Sequence, residues 1–416
     1  MKTITSAFIR RVELKSGKRW RGVLKFTDEN DQSRQITKTF PSSVKTKTQA
    51  NAALVAWREE VEAEDAAPDA SLSVGAYARA YVEGLERGNT VEPSTLKGYE
   101  TLVKHIEDEF AGVKLRDLTT KKVERWRNRM IDAGLSPVTV TKHLRFLNMV
   151  VSHAVEVHDL EWNPCKAVKA PKKSQVEPAS LDPAAVRKLA KLLEESEPTP
   201  LITSAAIGLY AGMREGEVCG LRWQDIDLEN QTINVRRAIG IGAGGAYEKT
   251  PKNESSRRSI PMPSALVTML KRRRAVQHAE WAEMRMKLGA PTTDEDYSTL
   301  FVTGTVDGAH AAPAVISRAW KSFAENNGLR DTKGERAVFH CLRHSYASVL
   351  ISDGYEAVTV AKLLGHSRPS MTLDVYAAAF EARKQAAAKS IGDAIGAAIA
   401  QPEPAEVLVF GKAANE

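Results

Sequence analysis

Between Val338 and Tyr376 the sequence gathers residue types that can do anion and proton-transfer chemistry together. His340 and Arg343 stand in an H-x-x-R, His366 closes a Leu-Gly-His, and a lone tyrosine follows at Tyr376. An arginine can hold an oxyanion bidentately without changing its protonation. A histidine exchanges protons near neutral pH. A phenol, with a pKa of about 10, is a poor nucleophile unless a base and positive charge stand beside it.

These residues need elements to position them. Leu342, Tyr346, Val349 and Leu350 recur at helical spacing and are expected to face a core, which puts His340 and Arg343 on another face. Ser352-Asp353-Gly354 ends that helix. Ala357 to Leu364 forms a second, short one, with Gly365 as its C-cap and His366 in the turn. Ser370 is a candidate cap for a last helix carrying Tyr376.

Together these motifs resemble the C-terminal signature of the tyrosine recombinases, the phage integrase family. Two further stretches carry the resemblance. Gly212-Met213-Arg214-Glu215-Gly216-Glu217, followed by Leu221-Arg222-Trp223-Gln224-Asp225-Ile226-Asp227, is similar to the family's G-x-R-x-x-E and L-x-W-x-D-I-D box. Gly212 permits a tight turn that points Arg214 out of the core. Pro251-Lys252, followed by Ser255-Ser256-Arg257-Arg258 and Pro261, resembles the family's lysine hairpin, departing from it at Asn253 and Glu254. Lys249 is the rival for the hairpin lysine, and the distance to Arg257-Arg258 favours Lys252.

The resemblance implies a site-specific recombinase that cuts and rejoins DNA, with no cofactor and no metal. Tyr376 is the implied nucleophile, leaving a 3′-phosphotyrosine and a free 5′-hydroxyl. Arg214 and Arg343 are the implied clamps on the non-bridging oxygens, and Lys252 the general acid for the departing 5′ oxygen. His340 accepts or shuttles the tyrosine proton, His366 bonds a phosphate oxygen, and Glu217 buttresses the site. Tyr346 and Tyr355 are the nearest rivals to Tyr376, and His344 reads as a helix-surface or packing residue. A type IB topoisomerase-like enzyme uses the same chemistry and would relax supercoils without joining two sites. A non-catalytic DNA-binding relic would form no adduct.

The fold expected is multidomain, mainly α with small β-sheets. At 416 residues the chain is too long for one core. Residues 1–64 read as a three-stranded sheet plus a helix over Thr46 to Glu64, with Ala53, Val55, Ala56 and Trp57 as its apolar residues. They resemble the arm-type DNA-binding domain of phage and conjugative-element integrases. Residues 71–165 read as four helices, like the family's SAM-like core-binding domain. A basic linker over 166–179 leads to an α+β catalytic domain over 180–385, in which Thr299 to Thr303 reads as a short strand. A C-terminal helix and tail fill 386–416. The tail's Val407-Leu408-Val409-Phe410 is the segment expected to pack on a neighbouring subunit, as in related integrases.

Charge agrees with a polyanionic partner. Met1 to Arg58 holds 13 lysines and arginines against four acidic residues, a local charge of +9 in a chain of net +7. Candidate DNA contacts are Arg10, Arg11, Lys18, Arg19, Arg21 and Lys25 on the sheet. Lys142, His143 and Arg145 on the fourth helix of the core-binding domain and Lys172 and Lys173 in the linker complete the set. The partners implied are double-stranded DNA attachment sites and three further copies in a homotetramer on DNA. An excision or directionality factor and a host DNA-bending protein are the accessory partners of arm-binding members. Three cysteines without disulfide or zinc spacing suit a reducing cytoplasm, here that of a bacterial host, with nucleoid association when on DNA. No apolar run is long enough to span a membrane.

Overall fold

The computed structural model describes residues 3–14, 17–27, 33–66, 72–158, 160–172, 178–250, 257–376 and 387–397. The chain divides into two compact units, Met1–Gln175 and Val176–Glu416.

The first unit holds two separate apolar cores. In the N-terminal one, strands β1 (Thr3–Leu14), β2 (Gly17–Thr27) and β3 (Ser33–Thr39) form an antiparallel sheet in the order β1-β2-β3. Helix α1 (Lys47–Ala66) covers it, burying Ala50, Leu54, Trp57 and Val61 against Leu24 and Phe40. Gly22 lets sheet and helix approach: a Cβ there would stand 2.9 Å from the Phe40 ring and 3.0 Å from Trp57. The sequence placed the helix well but misjudged its face. Val55 and Ala56 point to solvent, and Leu54, at the correct 3.6-residue spacing from Trp57 and Ala50, takes the buried position.

The second core belongs to four helices, α2 (Val74–Arg87), α3 (Pro93–Glu109), α4 (Thr120–Asp132) and α5 (Pro137–His158). Ser73 caps α2 through the Ala76 N–H and Thr119 caps α4 through the Lys122 N–H. Tyr77, Ile106, Phe110, Trp126 and Leu147 fill the centre.

In the second unit α6 (Pro183–Glu195), capped by Asp182, precedes α7 (Pro200–Ala211). Helix α7 is buried on nearly every side and forms the centre of this unit, packed by α6, α8 (Glu215–Cys219), α9 (Ser264–Lys287), α11 (Pro313–Asn326) and α12 (His340–Ser352). Its sequence, PLITSAAIGLYA, has no charged residue that would demand a solvent face. Two small antiparallel sheets flank this core. One pairs β4 (Ile226–Asp227), β5 (Thr232–Val235) and β8 (Arg258–Pro261); the other is the hairpin β6 (Ala238–Gly242) and β7 (Gly245–Lys249). The short α10 (Asp294–Ser298), then α13 (Ala357–Leu364) and α14 (Pro369–Val375), complete the described helices that concern the site, and residues 387–397 are also helical.

Three local expectations change. Thr299 caps the end of α10, and Phe301 makes only an isolated bridge to Arg222, so Thr299 to Thr303 is a turn rather than a strand. Val349 is 45 % exposed, because the buried stripe of α12 runs through Leu342, Ala347 and Ile351. Pro369 opens α14 with Arg368 at its N-cap, which puts Ser370 inside the helix. The apolar tail segment Val407 to Phe410 lies outside the described residues.

Candidate active site

Arg214 owes its position to the residue that ends α7. Gly212 adopts φ +61°, and a Cβ there would fall 2.3 Å from the Tyr346 ring. Only glycine can take both the left-handed backbone and the contact. The chain reverses, buries Met213, and places Arg214 at the N-cap of α8. Glu217 then locks it: its Oε2 accepts the Arg214 backbone N–H at 2.9 Å and its Oε1 accepts Arg214 Nη1 at 2.9 Å. The remaining Nη2 donates to the Gly365 carbonyl at 3.2 Å.

Glu217 serves a second arginine. Arg258, from β8, donates Nη1 and Nη2 to the two carboxylate oxygens at 3.1 and 2.8 Å, and Nε to the Leu363 carbonyl at 2.7 Å. Burial pushes the Glu217 carboxyl up, but the Arg258 hydrogen bonds and the charges of Arg258 and Arg214 outweigh it and hold the group at about 2.

Arg343 comes from α12 and is 3 % exposed. Its Nη1 donates to the Gly212 carbonyl at 2.7 Å and its Nη2 to the Leu364 carbonyl at 2.6 Å. One guanidinium thus ties the end of α7 to the end of α13. Burial and Arg214 lower its pKa to about 9, with Glu217 opposing, so it stays cationic at neutral pH. His340, one turn back, is exposed, and its ring meets that of His344 edge-on at 4.7 Å. Gly365, left-handed at φ +67°, ends α13 as read from the sequence, and His366 follows it with Nδ1 2.8 Å from Thr372 Oγ1. Tyr376 lies just past α14, 4 % exposed, its ring against Ala347, Ile351, Val360 and Leu364. Its hydroxyl stands 2.8 Å from His344 Nδ1. Burial raises its pKa, with Arg343 opposing.

The histidines are held neutral. Burial, then His340, Arg343 and His366, take His344 down to about 4. Burial, then Arg343, Arg214, Arg258 and His340, take His366 to about 4. The pKa of His340 is lowered too, although the residue is exposed: neighbouring groups on the inner side of its ring desolvate it, and Arg343 and Arg214 add to the effect. A folded-state pKa below the unfolded value of about 6.5 favours the native state fully above that value. The unfolded chain binds the extra protons first as pH falls. Thermal melts should therefore show stability falling from about pH 6.5 to about pH 4, and H366Q should flatten part of that slope. An equally steep slope in H366Q removes His366 as a contributor.

Other sequence candidates fall as follows. Lys252 and Lys173 lie outside the described residues. Lys249 ends β7 and is half-buried. Arg10, Arg11, Lys18 and Lys25 are exposed on the N-terminal sheet, while Arg19 and Arg21 are half-buried, with Arg21 Nε on Thr39 Oγ1 at 2.9 Å. Lys142, Arg145 and Lys172 are exposed. His143 is a correction: it is 4 % exposed, its Nδ1 2.9 Å from the Thr139 carbonyl and its Nε2 2.6 Å from His105, so it packs the helical core and has no face for a phosphate. Tyr346 packs over Gly212, and Tyr355 is 50 % exposed. The cysteines are free and buried. Sequence reasoning passed over two residues of the site, Arg258 and His344. Arg258 had a signal in the motif it closes. His344 had one in its spacing of four from His340, which puts both rings on one helical face. Among the described residues no helix is long and apolar enough to cross a membrane, and no cluster of three or more His, Cys, Asp or Glu could hold a metal.

Residues 179–383 match the phage integrase family, and residues 73–170 match the phage integrase SAM-like domain. The chain belongs to the phage integrase family of tyrosine recombinases. A tyrosine recombinase XerC-like protein of Caldanaerobacter subterraneus subsp. tengcongensis is 28 % identical over 323 residues, covering 73 % of this chain and 78 % of its own. The ICEBs1 integrase of Bacillus subtilis is 23 % identical over 337 residues, 81 % of this chain and 87 % of its own. In fold, the Tn1549 transposon integrase in complex with a circular intermediate DNA superposes with a TM-score of 0.59 at 22 % identity, over 74 % of this chain and 95 % of that one. As a tyrosine recombinase the protein is an enzyme of site-specific DNA recombination.

Proposed function

We propose that this recombinase is the integrase of a phage or integrative element, joining and separating double-stranded DNA attachment sites in a bacterial cytoplasm as a homotetramer. The observation that carries the reading is one cluster: Arg214 donates to the Gly365 carbonyl beside His366, Arg343 donates to the neighbouring Leu364 carbonyl, and the Tyr376 hydroxyl meets His344 on the helix that also carries His340 and Arg343. Phosphoryl transfer concentrates charge on the non-bridging oxygens, which is what two guanidiniums can hold. Tyr376 attacks phosphorus, the 5′ oxygen departs with a proton from Lys252, and the bond energy stays in the phosphotyrosine, so rejoining needs no nucleotide.

The exposed basic residues of the N-terminal sheet support an arm-type contact, and the exposed Lys142 and Arg145 a phosphate contact. An excision factor and a host bending protein fit the same reading. Purified protein on a nicked duplex built from the host–element junction should give a shifted covalent band on a denaturing gel without added metal. A metal-dependent cut with no adduct overturns the mechanism. Lys252→Ala should slow cleavage by about 10²- to 10⁴-fold, and a bridging sulfur at the 5′ position should restore it, because a thiolate leaves without a proton. Lys249→Ala should leave the rate near wild type; the reverse pattern makes Lys249 the acid.

A further inference from the structure

Within the proposed reaction the Tyr376 proton needs a destination, and the geometry narrows the choice. Arginines cannot take it. His340 is exposed and touches the His344 ring, and His366 Nδ1 is engaged with Thr372. His344 Nδ1 stands 2.8 Å from the Tyr376 hydroxyl, the distance of a hydrogen bond between a phenol and an imidazole lone pair. Both groups are anchored: Tyr376 is 4 % exposed in its apolar pocket, and His344 sits on the rigid helix that also carries Arg343.

We propose that His344 is a further catalytic residue, whose Nδ1 takes the proton of the Tyr376 hydroxyl as the phenolic oxygen attacks the scissile phosphorus. The O–H bond of Tyr376 breaks and an N–H bond forms on His344. The Tyr376–phosphorus bond forms, the bond from phosphorus to the 5′ oxygen breaks, and that oxygen receives its proton from the general acid. On rejoining, the 5′-hydroxyl gives its proton up, and His344 returns its own to the departing phenol. Acceptance requires a neutral imidazole. The groups facing it secure that state: His340 and Arg343 from its own helix, His366 from the turn after α13, and the Tyr376 phenol beyond α14. A cationic neighbourhood that favours the negatively charged phosphate also keeps the base unprotonated.

The test uses H344N. Its amide oxygen can accept the hydrogen bond from Tyr376 near the position of Nδ1 but cannot accept a proton. Single-turnover adduct formation by the full chain on the nicked junction duplex is followed from neutral to alkaline pH, with gel-shift binding measured alongside. H344N is expected to bind DNA as wild type does and to cleave about 100-fold more slowly or worse at neutral pH. Its deficit should shrink as hydroxide replaces the missing base. Cleavage as fast as wild type, or a deficit constant across pH, overturns the assignment. The wild-type adduct and its absence from Tyr376→Phe, run on the same gel, keep the underlying reading separate: with those two lanes as expected, a fast H344N removes His344 alone.

Discussion

Tyr376→Phe should abolish the covalent DNA adduct and leave both fold and DNA binding in place. The ring of Tyr376 packs against Ala347, Ile351, Val360 and Leu364, and phenylalanine keeps every one of those contacts. What goes is one oxygen and its hydrogen bond to His344, worth about 1 kcal/mol of stability. The proposed chemistry loses its nucleophile, and the two other tyrosines nearby in sequence are placed otherwise: Tyr346 is packed over Gly212, and Tyr355 lies in the turn after α12. The measurement is a denaturing gel of wild type and variant on a nicked duplex, with a native gel shift beside it. An adduct that persists in the variant moves the nucleophile to another residue.

Glu217→Ala should be the most damaging substitution for stability. Glu217 is 6 % exposed and accepts from the Arg214 backbone, the Arg214 guanidinium and both terminal nitrogens of Arg258. Arg258 is itself buried to 6 % side-chain exposure. Removing the carboxylate takes the Glu217 counter-charge from that cation and sets it against Arg214 and Arg343. Deleting one partner of a buried pair costs about 3–5 kcal/mol, and denaturant melts should show a loss of that size. Glu217→Gln, which keeps the shape and two acceptor sites on its oxygen, should lie between the two proteins. Because folding holds Glu217 at about 2, below the unfolded carboxylate value of about 4.3, the loss should be full above about pH 5 and should shrink as pH falls from there towards about pH 2. A variant that melts with wild type removes Glu217 as the buttress of Arg214.

The charge balance of the pocket explains why these effects differ. Among the described residues Arg214, Arg258 and Arg343 face one carboxylate, an excess of positive charge that suits the phosphate of the proposed reaction. Glu217 is thus a structural requirement of the folded site, while Tyr376 is structurally replaceable and, in the proposed reaction, chemically not.

Much of this was legible in the sequence. Arg214, Glu217, His340, Arg343, His366 and Tyr376 sit in short motifs whose spacing already fixes local geometry: a glycine that must turn, an N-cap three residues from its glutamate, two residues on one helical face. The strand–strand–strand–helix order at the N-terminus and the four helices after it were likewise readable from alternation, caps and turn residues. Tertiary structure decided the rest. Periodicity could not say that His143 would face His105 rather than solvent, that Leu54 and not Val55 would meet the sheet, or that Val349 would stay exposed. Nor could it join Arg343 to the Gly212 carbonyl, 131 residues away, Arg258 to Glu217, or His344 to Tyr376. Local sequence sets the direction a side chain leaves its own helix or strand; its partner is chosen only when the packing of distant elements closes around it, because a buried charge or hydroxyl must then find whichever group is within about 3 Å.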